Sequence, residues 1–313
     1  MKISEIGLGS WLTYGGSVEA QDATAQMHHA FECGINFFDT ANVYAAGESE
    51  KVVGKAIKSL KRESVVLATK VFFPMGEGPN DKGLSRKHVF EQCHESLRRL
   101  GTDYIDLYQC HRFDPDVPLE ELVVTMDILC RQGKILYWGV SEWPADQIQA
   151  VVDCAQQLNC PPPVSNQPCY NMLQRDIEKD VVPVSFKNGL GQIVFSPLAQ
   201  GVLTGKYKPG SEVPADSRAA SDRDGVFLRG RATMSKESLE KVQQLSLIAK
   251  EINLTMGQLA LAWCLRLKEV SAVIIGARKI SQIDENLQAG GVKLSGEIVA
   301  RVDKILKQVM AKR

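Results

Sequence analysis

The chain has 313 residues, 44% of them hydrophobic, and its 37 Lys and Arg residues balance 37 Asp and Glu residues. This length fits either two domains or one large α/β barrel, whose typical size is about 250 residues. The balanced charge predicts no nucleic-acid partner and no anionic membrane surface. No stretch reaches the roughly 18 apolar residues that a membrane span needs, which predicts no membrane insertion.

The cysteines and the N-terminus bear on the compartment. Eight cysteines in a chain of this length form no disulfide framework, and they are expected to be reduced thiols of a cytoplasmic protein. The first residues lack the apolar core of a signal peptide. The neighbouring pairs His28–His29, Cys93–His94 and Cys110–His111 direct their side chains apart, so the sequence predicts no metal site.

Strand-like and helix-like segments alternate along the whole chain. The predicted strands are residues 6–8, 35–38, 65–69, 104–110, 137–140, 163–166, 193–195 and 272–275. The predicted helices are residues 22–33, 48–60, 85–100, 118–131, 144–158, 177–188, 236–252, 255–267, 281–289 and 296–311, with Pro183 expected to kink or interrupt the sixth. Residues 201–235 are rich in Gly, Pro, Ser and charge without clear periodicity, and a loop of that length is typical of a functional lid or of a disordered segment.

Strict alternation predicts a parallel sheet with right-handed crossovers. Eight strand–helix units predict one α/β domain over residues 1–313, a (β/α)8 TIM barrel with extra helices after strand 7 and at the C-terminus. A doubly wound sheet is the alternative. Its phosphate-binding fingerprint is absent, because the residues from Gly7 to Leu12 lack the third glycine.

Polar residues follow successive predicted strands, and in a barrel those positions converge on one face. They are Asp39, Lys70, His111, Ser141, Gln167 and Ser196, with Tyr44 on the loop after Asp39. Each has an ordinary alternative, since Asp39 can cap a helix, Lys70 can be solvated and His111 can be a core residue.

Taken together, the titratable side chains predict a specific chemistry. Asp39 can pair with Lys70, the ammonium of Lys70 is expected to lower the pKa of Tyr44, and His111 can bond the same oxygen. The set forms a proton donor and an electrophilic pocket for a carbonyl oxygen, and the hydride would come from a nicotinamide cofactor. Arg278, which precedes the predicted helix 281–289, offers an anion site beside a helix N-terminus. The alternative is a C-terminal helix with an ordinary polar face.

The chain resembles the aldo-keto reductase superfamily over essentially its whole length, and within it the branch of potassium-channel beta subunits and their relatives. The resemblance is carried by residues 7–11 (GLGSW), 39–47 (DTANVYAAG), 137–141 (YWGVS), 196–201 (SPLAQG), 205–207 (GKY), 259–265 (LALAWCL) and 276–286. It implies a (β/α)8 barrel that uses NADPH to reduce aldehydes or ketones, acting on a small carbonyl substrate. It also implies a homo-oligomer of four or eight copies.

The resemblance implies roles for particular positions. The catalytic tetrad falls on Asp39, Tyr44, Lys70 and His111, with Tyr44 as the general acid. The implied cofactor contacts are Ser10, Trp11, Asp39, Ser141, Asn166, Gln167, Phe195, Ser196, Pro197, Leu198, Gln200, Gly201, Lys206, Ser217, Arg218, Gly276, Arg278, Gln282, Glu285 and Asn286.

Two departures from the channel-subunit pattern bear on function. Position 111 is His, as in reducing enzymes, where the channel subunits have Asn, and this favours catalysis. Position 142 is Glu in place of Arg, which removes one cofactor contact. The alternative function is a cofactor-sensing regulatory subunit of a membrane protein with little turnover.

Overall fold

Eight parallel strands close into a barrel in the computed structural model of the protein, which describes residues 1–16 and 18–307. Each strand pairs with its neighbours in sequence, and β1 also pairs with β8, which closes the sheet. The strands are β1 (Ile6–Gly9), β2 (Phe37–Asp39), β3 (Val66–Val71), β4 (Ile105–Cys110), β5 (Ile135–Ser141), β6 (Ser165–Gln167), β7 (Gly191–Val194) and β8 (Val270–Ile275).

Helices surround this barrel. One follows each of the first six strands, two lie between β7 and β8, and two follow β8. They are α1 (Ala20–Glu32), α2 (Glu48–Ile57), α3 (Arg86–Leu100), α4 (Leu119–Arg131), α5 (Ala145–Gln157), α6 (Val181–Lys187), α7 (Lys236–Glu251), α8 (Met256–Leu265), α9 (Ile280–Leu287) and α10 (Gly296–Lys307). The (β/α)8 prediction is confirmed, and a doubly wound sheet is excluded because the sheet has no open edge.

Two apolar layers hold the architecture together. Inside the barrel, Phe37, Leu107 and Ile274 belong to a cluster that fills the space between strands. Outside it, the helices pack their apolar faces on the barrel and on one another. A Cβ at Gly54 of α2 would come within 2.4 Å of the Leu100 carbonyl oxygen, so glycine permits the close approach of α2 and α3. Within the described ranges, no helix has the length and apolar character needed to cross a bilayer.

Two predicted helices differ from the observed ones by more than shifts of one to three residues at their ends. The segment 177–188 divides into a 3-10 turn, Asp176–Glu178, and α6. Pro183 then lies in the first turn of α6, where its missing N–H costs nothing, so the break precedes the proline instead of falling at it. The last helix reaches Lys307, and the remainder of the predicted 296–311 helix lies outside the described residues.

The segment 201–235 contains short 3-10 turns and no strand within its described length. It packs against the loop after β1, where the Phe227 and Trp11 rings lie 5.3 Å apart and the Arg218 guanidinium lies 5.8 Å from the Trp11 ring. Arg223 also donates to the carbonyl oxygen of Leu12. The segment therefore lies over the rim where the strands end.

Candidate active site

Three of the four predicted tetrad residues stand at the C-terminal ends of adjacent strands. Asp39 is the last residue of β2, Lys70 is the penultimate residue of β3, and His111 directly follows β4. Tyr44 begins the 3-10 turn Tyr44–Gly47 that follows β2. The parallel register brings these positions to one rim of the barrel, where this fold places its active sites.

Asp39 and Lys70 form a buried ion pair. Lys70 Nζ donates to Asp39 Oδ1 over 2.5 Å and to the Thr40 carbonyl oxygen over 2.8 Å. The other carboxylate oxygen of Asp39 accepts from Gln167 Nε2 at 2.8 Å and from Gln109 Nε2 at 3.4 Å. Burial alone would lower the pKa of Lys70, but the Asp39 carboxylate and the Tyr44 hydroxyl beside it produce a net rise, so the lysine stays charged.

The Tyr44 hydroxyl lies 3.3 Å from Lys70 Nζ. Its turn has Ala45, Ala46 and Gly47 at positive φ, and a Cβ at Gly47 would lie 2.8 Å from Arg99 Cδ, so position 47 requires glycine. The prediction of a lowered tyrosine pKa is wrong in its net direction. Burial raises the pKa of Tyr44 by more than Lys70 lowers it, and the phenol keeps its proton at neutral pH.

His111 is a neutral imidazole. Burial, followed by the charges of Lys70 and Arg112, holds the pKa of His111 well below its ordinary value of 6.5. Its ring packs edge-on against Tyr44 and Phe73, at centroid distances of 5.9 and 4.8 Å. Nδ1 of His111 is buried and bonds to no described residue, which leaves it available to a polar atom of a substrate.

The predicted cofactor residues lie at the C-terminal ends of the strands or on the segments that follow them. Ser10 and Trp11 follow β1, Ser141 ends β5, Asn166 and Gln167 end β6, and Gly276 and Arg278 follow β8. Phe195, Ser196, Pro197, Leu198, Gln200, Gly201 and Lys206 occupy the segment after β7, Ser217 and Arg218 lie farther along it, and Gln282, Glu285 and Asn286 lie on α9. Ser141 Oγ donates to the Gln167 carbonyl oxygen over 2.8 Å, which ties β5 to β6.

Several of these side chains carry buried polar atoms that no described residue satisfies. They are Oδ1 of Asn166, Oε1 of Gln200 and Oγ of Ser217. Buried polar atoms without partners cost free energy unless a ligand or water bonds them. The amide oxygens of Asn166 and Gln200 can accept a hydrogen bond from a donor of a bound molecule, and the Ser217 hydroxyl can donate or accept one.

Two arginines and one acid meet where the segment 201–235 faces the loop between β8 and α9. Arg278 Nη2 lies 3.3 Å from Asp224 Oδ2, and Arg223 Nε lies 2.7 Å from Asp224 Oδ1. Burial and the neighbouring charge of Arg278 lower the pKa of Arg218. The excess of positive charge over one carboxylate fits an anionic group such as a phosphate.

The structure does not join every predicted residue to this rim by direct contacts. Among the described residues, no hydrogen bond or ion pair connects the side chains of Glu285 and Asn286 to the other predicted site residues. Gln282 Oε1 accepts from the Arg278 backbone N–H at 2.8 Å, so it holds the loop before α9. Lys206 is exposed and lies against Gly201, where a Cβ would be 3.2 Å from its Cε.

Sequence reasoning missed three residues of the site. Gln109 and Thr40 bond the ion pair, but amides and backbone carbonyls carry no sequence signal of such a role. Arg112 donates to the His111 carbonyl oxygen at 2.5 Å, and its guanidinium lies 5.4 Å from the centroid of the Phe73 ring. The sequence did offer one indication, because Arg112 directly follows His111, and both residues come after the end of β4 at the same rim of the barrel.

Known proteins resemble the chain over nearly its whole length. Residues 5–307 match the model of the Aldo/keto reductase family. A "putative voltage-gated potassium channel subunit beta" of Schizosaccharomyces pombe is 44% identical over 313 residues, covering 98% of this chain and 90% of that protein. "Probable voltage-gated potassium channel subunit beta" proteins of Arabidopsis thaliana and Oryza sativa subsp. japonica are 42% and 41% identical over 312 residues. Each alignment covers 98% of this chain and 94% of the length of the relative.

Proposed function

This chain belongs to the aldo/keto reductase family, and on that premise we propose that it reduces aldehydes or ketones to alcohols with NADPH, with Tyr44 as the proton donor. The observation that carries the proposal is the short path from Asp39 through Lys70 to the Tyr44 hydroxyl, with distances of 2.5 and 3.3 Å. Lys70 is fully buried, and besides Asp39 and the Thr40 carbonyl its ammonium lies beside the Tyr44 hydroxyl.

The reduction adds a hydride to the carbonyl carbon and a proton to the carbonyl oxygen. The nicotinamide, when bound, supplies the hydride. Tyr44 gives its proton to the oxygen as negative charge develops there, and the ammonium of Lys70 stabilises the phenolate that remains. Asp39 keeps Lys70 charged and oriented. The raised pKa of Tyr44 retains the proton until the oxygen becomes basic.

His111 orients the carbonyl in this proposal. The neutral ring has an unpartnered Nδ1 and lies in edge contact with Tyr44. With the proton on Nδ1, this nitrogen donates to the carbonyl oxygen that also accepts from the Tyr44 hydroxyl. Asn166, Ser141 and Gln167 would hold the nicotinamide carboxamide, and Arg218 and Arg278 would hold phosphate groups. The strand ends beneath them are rigid, which places the reacting atoms within reach of one another.

A direct assay tests the proposal. The purified full chain is mixed with NADPH and a panel of small aldehydes and ketones, and the loss of NADPH absorbance is compared with the alcohol formed. We expect many turnovers per chain with one alcohol per NADPH consumed. Absence of alcohol across the panel, with NADPH bound, would contradict the proposal.

The names of the relatives favour a second candidate, a cofactor-binding subunit of a potassium channel with little turnover. The two candidates differ in an observable way. A regulatory subunit would retain its cofactor, co-purify with a channel protein and complete few turnovers when aldehyde is in excess. Sustained turnover of the isolated chain would support the enzyme.

A further inference from the structure

Three side chains of different chemistry meet on the outer surface of the barrel, between α1 and α9. His29 Nε2 lies 2.6 Å from Asp284 Oδ1, and Cys33 Sγ lies 3.6 Å from the same His29 nitrogen. One nitrogen, one sulfur and one oxygen atom from these residues all lie within 4.8 Å of one another. None of the three belongs to the site on the barrel rim.

The backbone explains why these groups converge. The Cys33 N–H donates to the His29 carbonyl oxygen over 3.0 Å, so the helical spacing continues through Cys33 and puts both side chains on one face. One turn before His29, Gln26 Nε2 donates to the Arg278 carbonyl oxygen over 2.9 Å, which fixes that face of α1 against the start of α9. Asp284 projects from the middle of α9 onto the same seam.

The distances approach those around a tetrahedral zinc ion. Zinc bonds of about 2.0–2.3 Å to nitrogen and sulfur place those two ligand atoms about 3.5 Å apart, close to the separation of His29 Nε2 and Cys33 Sγ. The 2.6 Å between Asp284 Oδ1 and His29 Nε2 is shorter than the separation of two ligand atoms on one zinc ion. On metal binding, the Asp284 carboxylate would therefore move away from His29 by less than about 1 Å. The Asp284 side chain is half exposed and the His29 side chain about one-third exposed, so that adjustment is unhindered.

We propose that His29, Cys33 and Asp284 bind a divalent transition-metal ion, with Zn²⁺ as the preferred occupant and water as the fourth ligand. The mixed donor set supports this choice, because thiolate and imidazole select zinc over the hard cations Mg²⁺ and Ca²⁺. A thiolate and a carboxylate together also neutralise the charge of the ion. Binding releases the thiol proton of Cys33 to solvent, so affinity falls at low pH.

The ion would join two parts of the chain that are about 250 residues apart in sequence. The sequence pair His28–His29 does not indicate this site, because the side chain that lies beside His29 is that of Cys33, four residues later. The site exists only in the folded chain, since Asp284 comes from a distant helix. Zinc therefore stabilises the native state by mass action.

The experiment measures Zn²⁺ binding to the full chain by competition with a chromophoric chelator, and Co²⁺ is used as a spectroscopic probe. We expect one Zn²⁺ per chain and a thiolate-to-Co²⁺ charge-transfer band. Cys33→Ser should abolish that band, and Cys33→Ser, His29→Ala and Asp284→Asn should each weaken Zn²⁺ binding by at least about tenfold, the effect of losing even an outer partner of a zinc ligand. His94→Ala and Cys160→Ser, which alter a histidine and a cysteine elsewhere on the helical exterior, are the matched controls and should bind as the wild type does.

Thermal unfolding gives a second readout that requires no activity. Zn²⁺ should raise the melting temperature of the wild type and both controls, and leave that of Cys33→Ser unchanged. Equal binding by all variants would overturn the proposal, because the metal would then lie elsewhere. A wild type without Zn²⁺ affinity would overturn it too and leave His29 and Asp284 as a hydrogen-bonded pair of surface side chains.

Discussion

Lys70 Nζ lies 2.5 Å from Asp39 Oδ1, and both side chains are withdrawn from solvent. The removal of two charges from water carries a large desolvation free energy, which is offset only by their mutual attraction and by further hydrogen bonds. Gln167, Gln109 and the Thr40 carbonyl supply those bonds. The remaining direction open to the ammonium is toward Tyr44, so the pair directs its positive charge at one hydroxyl.

Tyr44→Phe should lower the turnover number by about 10²–10⁴, the usual contribution of general acid catalysis. The substitution removes one hydroxyl and leaves the ring in edge contact with His111. NADPH affinity, measured by fluorescence titration, should stay close to that of the wild type. The matched control is Tyr137→Phe, which changes an exposed tyrosine in the N-terminal half of β5, away from the catalytic rim. Undiminished turnover of Tyr44→Phe would exclude Tyr44 as the proton donor.

Lys70→Met should abolish reduction and also destabilise the fold by about 3–5 kcal/mol, because it leaves the buried Asp39 carboxylate without a counter-charge. Urea unfolding monitored by circular dichroism measures the free energy of unfolding. The double variant Asp39→Asn with Lys70→Met should recover much of that stability and remain inactive. A single variant as stable as the wild type would show that the ion pair is not held in a desolvated environment.

The ends of β2 and β4 were predictable because a barrel strand terminates where apolar residues stop, and Asp39 and His111 mark that change, whereas β3 runs one residue past Lys70 to Val71. The net direction of the Tyr44 pKa was not predictable, because burial, unlike the presence of Lys70, cannot be seen in the sequence. Pro183 shows the same limit: the proline was visible, but whether it lies inside a helix or in its first turn depends on where the chain folds around β6 and β7.

The pKa of His111, held well below 6.5, makes stability depend on pH. Below about pH 6.5 the unfolded chain binds a proton at His111 that the folded chain does not, so stability is fully present above that pH and falls as pH falls. The wild type should therefore lose stability relative to His111→Asn by up to about 1.4 kcal/mol per pH unit. Urea unfolding of both proteins at pH 7, 6 and 5 measures this difference in the free energy of unfolding. Burial also lowers the pKa of His88, but His88 is present in both proteins, so its contribution cancels in the comparison. Parallel stability profiles would contradict the prediction.

The last prediction concerns Arg278 and the choice between NADPH and NADH, which differ by one 2′-phosphate. Arg278 precedes α9, and one guanidinium nitrogen is 3.3 Å from Asp224, which leaves further donors for a phosphate. A hydrogen bond to a charged group contributes about 1.5–3 kcal/mol, or roughly one to two decades in affinity. Arg278→Ala should therefore weaken NADPH binding by about 10–100-fold and leave NADH binding nearly unchanged.

The matched control for that variant is Lys279→Ala, which removes an exposed positive charge from the adjacent position. If the effect of Arg278 is a direct contact, the control should change NADPH affinity far less, because an exposed charge is screened by solvent and salt. Fluorescence titration with both cofactors at one ionic strength gives the comparison. Equal losses of NADPH and NADH affinity in Arg278→Ala would instead assign the arginine to holding Asp224 and the segment 201–235, and would place the 2′-phosphate at another side chain.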